Sequence, residues 1–384
     1  MNICVIASGY PSRSKPVLDI FIHEQAREMV RQGLNIHVIT TGTSENFCEG
    51  IMDGVYVHRV IRDDFKPSYL LFFAFSLKAL RVAIQLNRKL RFDIIHSHFA
   101  DHAGFAGAVI SKLLGKPFVL TSHGYDIYYS KKLGYGLGSH LPSRLLVWFI
   151  LKMPSKITVP SKALKNQLKT WNVDSKKIEI INNGINLDFI KSDITPKIIK
   201  NSQVILTVAN LLPIKNIGYM LEAMPYVLEK FPDVRYIVVG DGPEREKLER
   251  IADKRELTNN IDFVGELRNN ELPRYYSMAD VFVLPSVHEG FGIVKLEAFA
   301  FGVPVVVTNG GGAVEGVDQG ENGFVVPLNQ SKKLAEVIIK ILANPELKES
   351  MGRRGKEIVM KSYLWKHNVK KVIKVYSGLM DNHM

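Results

Sequence analysis

At 384 residues the chain is longer than one ordinary hydrophobic core organises, so two domains are expected. A composition of 46% hydrophobic and 23% charged residues is globular and excludes a disordered chain. The formal net charge of +12 belongs to one half: residues 1–185 hold 24 Lys and Arg against 13 Asp and Glu, whereas the remaining 26 and 25 nearly cancel. A basic first half implies an anionic partner: a membrane surface, a nucleic acid or a phosphorylated substrate. Nucleic acid ranks last of these, because the basic residues lack the aromatic interleaving of an RNA-binding sheet.

Met1 enters an apolar run directly, with no basic segment ahead of it, so no secretion signal is expected. Strand-like and helix-like segments then alternate, which points to parallel sheets with crossover helices. Strands are expected at Asn2–Ala7, Asn35–Thr40, Val55–Val60, Asp93–His96, Phe118–Thr121, Lys156–Val159 and Ile178–Ile181. Helices are expected over Leu18–Arg31, ended by Gly33, and over 70–91, 101–114, 141–153 and 161–171, the last capped by Ser161. The two cysteines, Cys4 and Cys48, lie far apart, and Cys4 sits within a strand, so buried thiols are expected instead of a disulfide. The most apolar window, Tyr69–Phe75, is too short to span a bilayer. It leads into Lys78, Arg81, Arg88, Lys89 and Arg91, which read either as the solvated face of a core helix or as a membrane-surface helix.

Asn182–Asn186 and the polar stretch Lys191–Ser202 read as a linker. A second series of strands follows at Gln203–Ala209, Tyr236–Gly240, Ile261–Val264, Val281–Leu284, Val303–Val307 and Phe324–Val326. The expected architecture is therefore α/β, with two doubly wound domains and a ligand cleft at the carboxyl ends of their strands. The boundaries fall at 1–186 and 187–363, and the terminal segment 364–384, which lacks a strand of its own, returns to the first domain.

Chemistry gathers at the strand ends. His288 to Glu297 forms a glycine-bearing strand-to-helix turn bracketed by Glu289 and Glu297, with the helix starting near Gly292 and Glu297 about two turns into it. A helix N-terminus can hold an anion, and a carboxylate farther along can accept hydrogen bonds from a sugar hydroxyl. An acidic loop followed by a solvated helical glutamate is the other reading this stretch allows. Lys215 follows the first strand of the second series, at the same carboxyl edge, where its ammonium can neutralise a diphosphate. Gly240–Gly242 and Gly310–Gly312 are glycine turns without P-loop or dinucleotide spacing, so ATP and nicotinamide readings are weak. Gly310–Gly312 permits close approach by a ligand or is a tight turn requiring positive φ. In the first half, Gly124 turns the chain after a strand so that His123 and Asp126 are expected to face the cleft. His96, His98, Asp101 and His102 lack a recognisable metal spacing. No Asp-x-Asp occurs anywhere, so a metal-clamped diphosphate of that type is unsupported.

These residues resemble a known family. Glu289-Gly-Phe-Gly-Ile-Val-Lys-Leu-Glu297, Ala298–Val307, Gly311-Gly312 with Glu315, Asn183–Asn186 and His123-Gly-Tyr-Asp126 together resemble the retaining GT-B glycosyltransferases of family 4 over nearly the whole chain. The resemblance implies that the first domain binds acceptor and the second a UDP- or GDP-sugar, with no cofactor and no metal. It implies Glu297 on the ribose, Glu289 beside the donor sugar and Lys215 on the diphosphate. Phe291, Gly292, Ile293 and Val294 would present backbone to sugar and phosphates, Leu267 would contact the base, and His123 would stand at the reaction centre. Gly9, Arg13, His98 and Asp126 are expected on the acceptor or cleft side. The family usually carries Arg where this chain has Asn210, so Arg13 or Lys15 is expected to supply the missing charge.

Gly9–Arg13 with Phe21–Gln25 resembles the branch serving bacterial surface polysaccharides, including teichuronic acid and capsule. A saccharide or polyprenyl-diphosphate-linked acceptor, a cytoplasmic location and peripheral contact between the basic first domain and an anionic membrane are the matching expectations. Two alternatives share the architecture: a nucleotide-sugar 2-epimerase, and a non-catalytic protein that binds glycan or nucleotide.

Overall fold

The computed structural model describes residues 1–42, 50–62, 68–191 and 202–381. Cys48 and most of the expected linker lie outside the described residues. Two compact units emerge, Met1–Gly184 with Trp365–Met384, and Ile185–Leu364.

Runs of β-branched residues buried on both faces build the first sheet. Its strands are β1 (Asn2–Ala7), β2 (Asn35–Gly42), β3 (Gly50–Met52), β4 (Val55–Arg62), β5 (Ile94–His98), β6 (Phe118–Thr121), β7 (Lys156–Val159) and β8 (Ile178–Ile180). Their order is β3-β4-β2-β1-β5-β6-β7-β8. All neighbours are parallel except β3 and β4, which form a hairpin. Strand β3 is absent from the expected strands, and its turn into β4 runs through Asp53 and Gly54, both at positive φ. The order reverses at β1, which lies between β2 and β5, and the register sets His98 opposite Thr121 at the ends of β5 and β6.

Helix Ile20–Arg31 and the terminal helix Trp365–Asp381 cover one face of this sheet, joining Ile22, Ala26 and Met29 to Trp365, Val369, Val372 and Tyr376. The terminal segment therefore returns to the first unit, as expected. Four helices, Ser68–Leu90, His102–Leu114, Leu141–Lys152 and Lys162–Thr170, cover the other face. Ser161 caps the last of them, accepting from the Leu164 amide at 3.2 Å. In helix Ser68–Leu90, Phe75, Ala79 and Ala83 are buried while Lys78, Arg81, Arg88 and Lys89 are exposed. Phe75, Ala79 and Ala83 thus pack this helix on the core, while Phe73 and Leu77 join the basic residues on its exposed face. Among the described residues no helix is long and apolar enough to cross a membrane.

The second sheet is parallel throughout. It holds β9 (Val204–Val208), β10 (Arg235–Val239), β11 (Ile261–Gly265), β12 (Val281–Leu284), β13 (Val305–Thr308) and β14 (Gly323–Val326), in the order β11-β10-β9-β12-β13-β14. Separate apolar layers fill its two faces. Here the order reverses at β9, so the loops leaving β9 and β12 are neighbours at the carboxyl edge.

Candidate active site

Lys215 and Glu289, 74 residues apart in sequence, meet on those two loops. The β9 loop ends in a short 3-10 turn, Pro213–Lys215, and is braced by backbone bonds from Ala209 to Val239 and from Leu211 to Asp241. The β12 loop is tied to it through the Val287 amide and the Ile214 carbonyl at 2.8 Å. With both loops fixed, the Lys215 ammonium donates to Glu289 Oε1 at 2.6 Å, and Ser286 Oγ donates to the same oxygen at 2.7 Å. Burial pushes the Glu289 carboxyl up, but Lys215 and the Ser286 hydroxyl outweigh it and hold the net value below the usual range. Glu289 is therefore ionised and paired at neutral pH.

Gly310–Gly312 supports this loop from the opposite side. The Glu289 amide donates to the Gly310 carbonyl at 3.1 Å, and the Gly312 amide to the Glu289 carbonyl at 2.7 Å. Gly311 has φ 64°, and a Cβ there would come within 2.6 Å of His288 Nδ1 and 2.7 Å of the Glu289 carbonyl. The glycines thus serve a tight turn packed against the protein's own loop.

Helix Ile293–Ala300 begins after Gly292, which has φ 78° and would press a Cβ to 2.9 Å from Leu284. Glu297 is consequently the fifth residue of the helix, little more than one turn in, not two as the sequence suggested. Nor is it a freely solvated glutamate: burial pushes its carboxyl up to about 7, with partial relief from the Tyr276 hydroxyl donating to Oε2 at 2.6 Å. Tyr276 is itself fully buried and stacks on Phe301. Phe291 is buried, while Ile293 and Val294 keep part of their surface. Lys295 is fully buried and donates to the carbonyls of Phe291 and Gly312, joining the helix entry to the glycine turn. Burial lowers its pKa to about 7. Asn210 is exposed on the β9 loop, and Leu267 packs at the edge of the apolar layer beyond β11.

The first unit gathers histidines. His123 follows β6, and its Nε2 lies 2.9 Å from His98 Nδ1 at the end of β5, with the two rings stacked. Phe21 and Phe99 flank His123 at centroid distances of 4.6 and 4.8 Å. Phe99 itself has φ 69°, a strained conformation for a bulky residue that over-determined packing must hold. The second nitrogen of His123, Nδ1, is buried and has no hydrogen-bond partner. Burial, with a smaller contribution from His96, lowers the His123 pKa to about 3, so the ring is neutral at ordinary pH. Behind this pair, His96 bonds the Tyr376 hydroxyl and Thr121 Oγ1, each at 2.6 Å, linking the terminal helix to the histidine cluster.

Asp126, expected to face the cleft, is held inside its own turn. It is fully buried, and its carboxylate accepts from the amides of Ala100 and Gly124 and from the Ser122 hydroxyl. These three bonds fix the turn that carries His123. Gly9 packs beside Asp19, while Arg13 and Lys15 are exposed on the loop after β1. Asp101 caps helix His102–Leu114 through the Ala103 amide. No group of three metal-ligating side chains occurs among the described residues.

Sequence reasoning assigned no role to Ser286, Tyr276, Lys295, Phe99 or Tyr376. Lys295 lies within the Glu289–Glu297 motif and Ser286 three residues before it, so both have a local sequence signal. Tyr276 and Tyr376 act across 21 and 280 residues, a separation that leaves no local signal.

Two family models match consecutive halves of the chain: Glycosyltransferase Family 4 over residues 19–189 and Glycosyl transferases group 1 over residues 190–358. An uncharacterized glycosyltransferase of Methanocaldococcus jannaschii is 29% identical over 396 aligned residues, covering 99% of each chain. The alpha-monoglucosyldiacylglycerol synthase of Acholeplasma laidlawii is 28% identical, covering 80% of this chain and 82% of its own. The UDP-Gal:alpha-D-GlcNAc-diphosphoundecaprenol alpha-1,3-galactosyltransferase of Escherichia coli is 27% identical, covering 80% and 81%. Among solved structures, sucrose-phosphate synthase from Thermosynechococcus elongatus shares the fold with a TM-score of 0.82 at 21% identity, covering 99% of each chain. The chain belongs to glycosyltransferase family 4, the retaining, nucleotide-sugar-dependent enzymes of GT-B fold.

Proposed function

We propose that this glycosyltransferase moves a hexose from a UDP- or GDP-sugar to a glycan or lipid-linked saccharide, within bacterial cell-surface polysaccharide synthesis. The observation that carries the donor half is the Lys215–Glu289 pair, braced at the carboxyl edge of a parallel sheet beside a helix N-terminus. As the glycosidic bond breaks, negative charge grows on the leaving diphosphate. The Lys215 ammonium spends one of three N–H donors on Glu289, so it can hold the carboxylate and still turn donors toward phosphate oxygens. Backbone at Phe291, Gly292, Ile293 and Val294 orients the sugar and phosphates, Glu297 accepts from the ribose hydroxyls, and Leu267 adjoins the base. Glu289 positions the sugar and is not assigned as a nucleophile; the product keeps the donor's anomeric configuration.

The first unit takes the acceptor. His123, neutral and held at Nε2 by His98, offers Nδ1 to a sugar hydroxyl at the reaction centre. Gly9 and Arg13 belong to the same acceptor side, and Arg13 offers charge that Asn210 does not. Support for a lipid-linked acceptor comes from two relatives, one named as a synthase of monoglucosyldiacylglycerol and the other as a galactosyltransferase of GlcNAc-diphosphoundecaprenol. A cytoplasmic enzyme in peripheral contact with the inner membrane face suits both such acceptors and the basic first half. A thermal-shift panel of UDP- and GDP-sugars tests the donor assignment, since a bound ligand raises the melting temperature. A clear rise with one donor is expected; no rise with any nucleotide sugar overturns it.

A further inference from the structure

The stretch Ile127–Val173 of the first unit carries eight Lys and Arg and no Asp or Glu. Within it, helix Leu141–Lys152 buries Val147, Ile150 and Leu151 against the sheet. Its opposite face is apolar as well: Leu141 is 69% exposed, Leu145 59%, and Trp148 and Phe149 48% each. A helix apolar on both faces has no reason to be so in water unless the outer face meets something.

A cavity of about 750 Å³ opens along this outer face, walled by Tyr129, Leu141, Arg144, Leu145, Trp148 and Trp171 among others. The Arg144 guanidinium lies 5.0 Å from the Tyr129 ring centroid and 5.9 Å from that of Trp171. Stacking holds it in place, and no carboxylate pairs with it among the described residues. Lys152 lies over the Trp148 ring in the same way. The nearest acids in sequence are spent elsewhere, Asp126 inside its own turn and Asp174 on the Lys176 amide. The surface therefore combines apolar anchors, including Trp and Phe, with unopposed cations and a cavity lined by one of them. That is the chemistry of a protein lying on an anionic bilayer, with rings and aliphatic chains at the acyl boundary and cations at the phosphates.

We propose that the outer face of helix Leu141–Lys152 docks on an anionic phospholipid surface, with a lipid phosphate on Arg144 and its chain along Leu141, Leu145 and Trp148. This gives the proposed peripheral contact a definite surface, and rests on that part of the functional reading while being independent of the donor chemistry.

Sedimentation of the full-length protein with phosphatidylcholine vesicles, and with vesicles that also contain phosphatidylglycerol, tests the assignment. Binding to the anionic vesicles alone is expected, and Leu145→Glu with Trp148→Glu should weaken it at least about tenfold. Arg144→Gln should weaken it by about fivefold. Soluble glycerol 3-phosphate should not release the protein, because the chain contributes as well as the phosphate. Circular dichroism and the nucleotide-induced thermal shift of each variant report folding and donor binding separately from the lipid result. Equal binding to both vesicle types, or anionic binding that survives the double variant, would overturn the proposal. So would release by glycerol 3-phosphate, loss of binding through Arg81→Glu alone, or a self-association that Leu145→Glu abolishes in a protein that ignores vesicles.

Discussion

The two units keep their buried titratable groups by opposite means. In the first, burial strips charge away: His96 and His123 are lowered to about 3, and His98 falls as well, so the cluster is a set of neutral hydrogen-bonding rings. In the second, Glu289 keeps its charge because Lys215 stands 2.6 Å away. Neutral rings suit recognition of sugar hydroxyls, whereas a held ion pair suits a diphosphate whose charge grows during reaction. Glu297 stands between these cases, in the charged unit but with a carboxyl pushed up to about 7 by burial.

Removing the Lys215 cation should cost the most activity. Lys215→Ala removes the cation and leaves Glu289 buried without its partner, so turnover should fall by about 10²–10³-fold with circular dichroism unchanged. Next comes Asp126→Ala, which strips the acceptor from three donors at once. Urea denaturation should show a loss of about 2–4 kcal/mol, which would place Asp126 in the fold of the histidine turn.

A third test uses pH. The folded Glu297 value near 7 exceeds its ordinary 4.5, so between these values the folded chain holds a proton that the unfolded chain has lost. Its contribution to stability is full below the lower value and is lost as pH rises through the upper one. Glu297→Gln, which has no such proton, should therefore gain on the parent as pH rises, reaching about 1–3 kcal/mol near pH 8 and little near pH 4. Parallel stability curves for the two proteins would show that the carboxyl is not held up by burial. The smallest effect is expected at His98→Ala, which frees His123 Nε2. Turnover should fall about fivefold to tenfold with the donor KM unchanged.

Much of this was legible in the chain. The strands were visible as buried β-branched runs, and Lys215 stood out by its place between a strand end and a helix start. Glu289 and Glu297 were found by their spacing. What stayed hidden depended on which groups face each other. Asp126 sits two residues beyond Gly124 and reads as a cleft carboxylate, yet its donors come partly from Ala100, on a different loop. Tyr276 has no sequence mark as the partner of Glu297. The apolar residues of Leu141–Lys152 predict a helix, but only the packed structure shows half of them turned outward. Strand β3 is three residues long, below the length at which alternation is readable, and its Asp53-Gly54 turn was its one signal.

We propose that the second unit holds the nucleotide diphosphate through Lys215, while His123 stands at the reaction centre. Titration calorimetry of UDP and GDP into the full-length protein, Lys215→Ala and His123→Ala tests it most directly. One nucleotide should bind the parent, weaken at least about tenfold in Lys215→Ala and change less than about twofold in His123→Ala. Undiminished binding by Lys215→Ala, or equal losses in both variants, would show that Lys215 is not the residue that holds the nucleotide diphosphate.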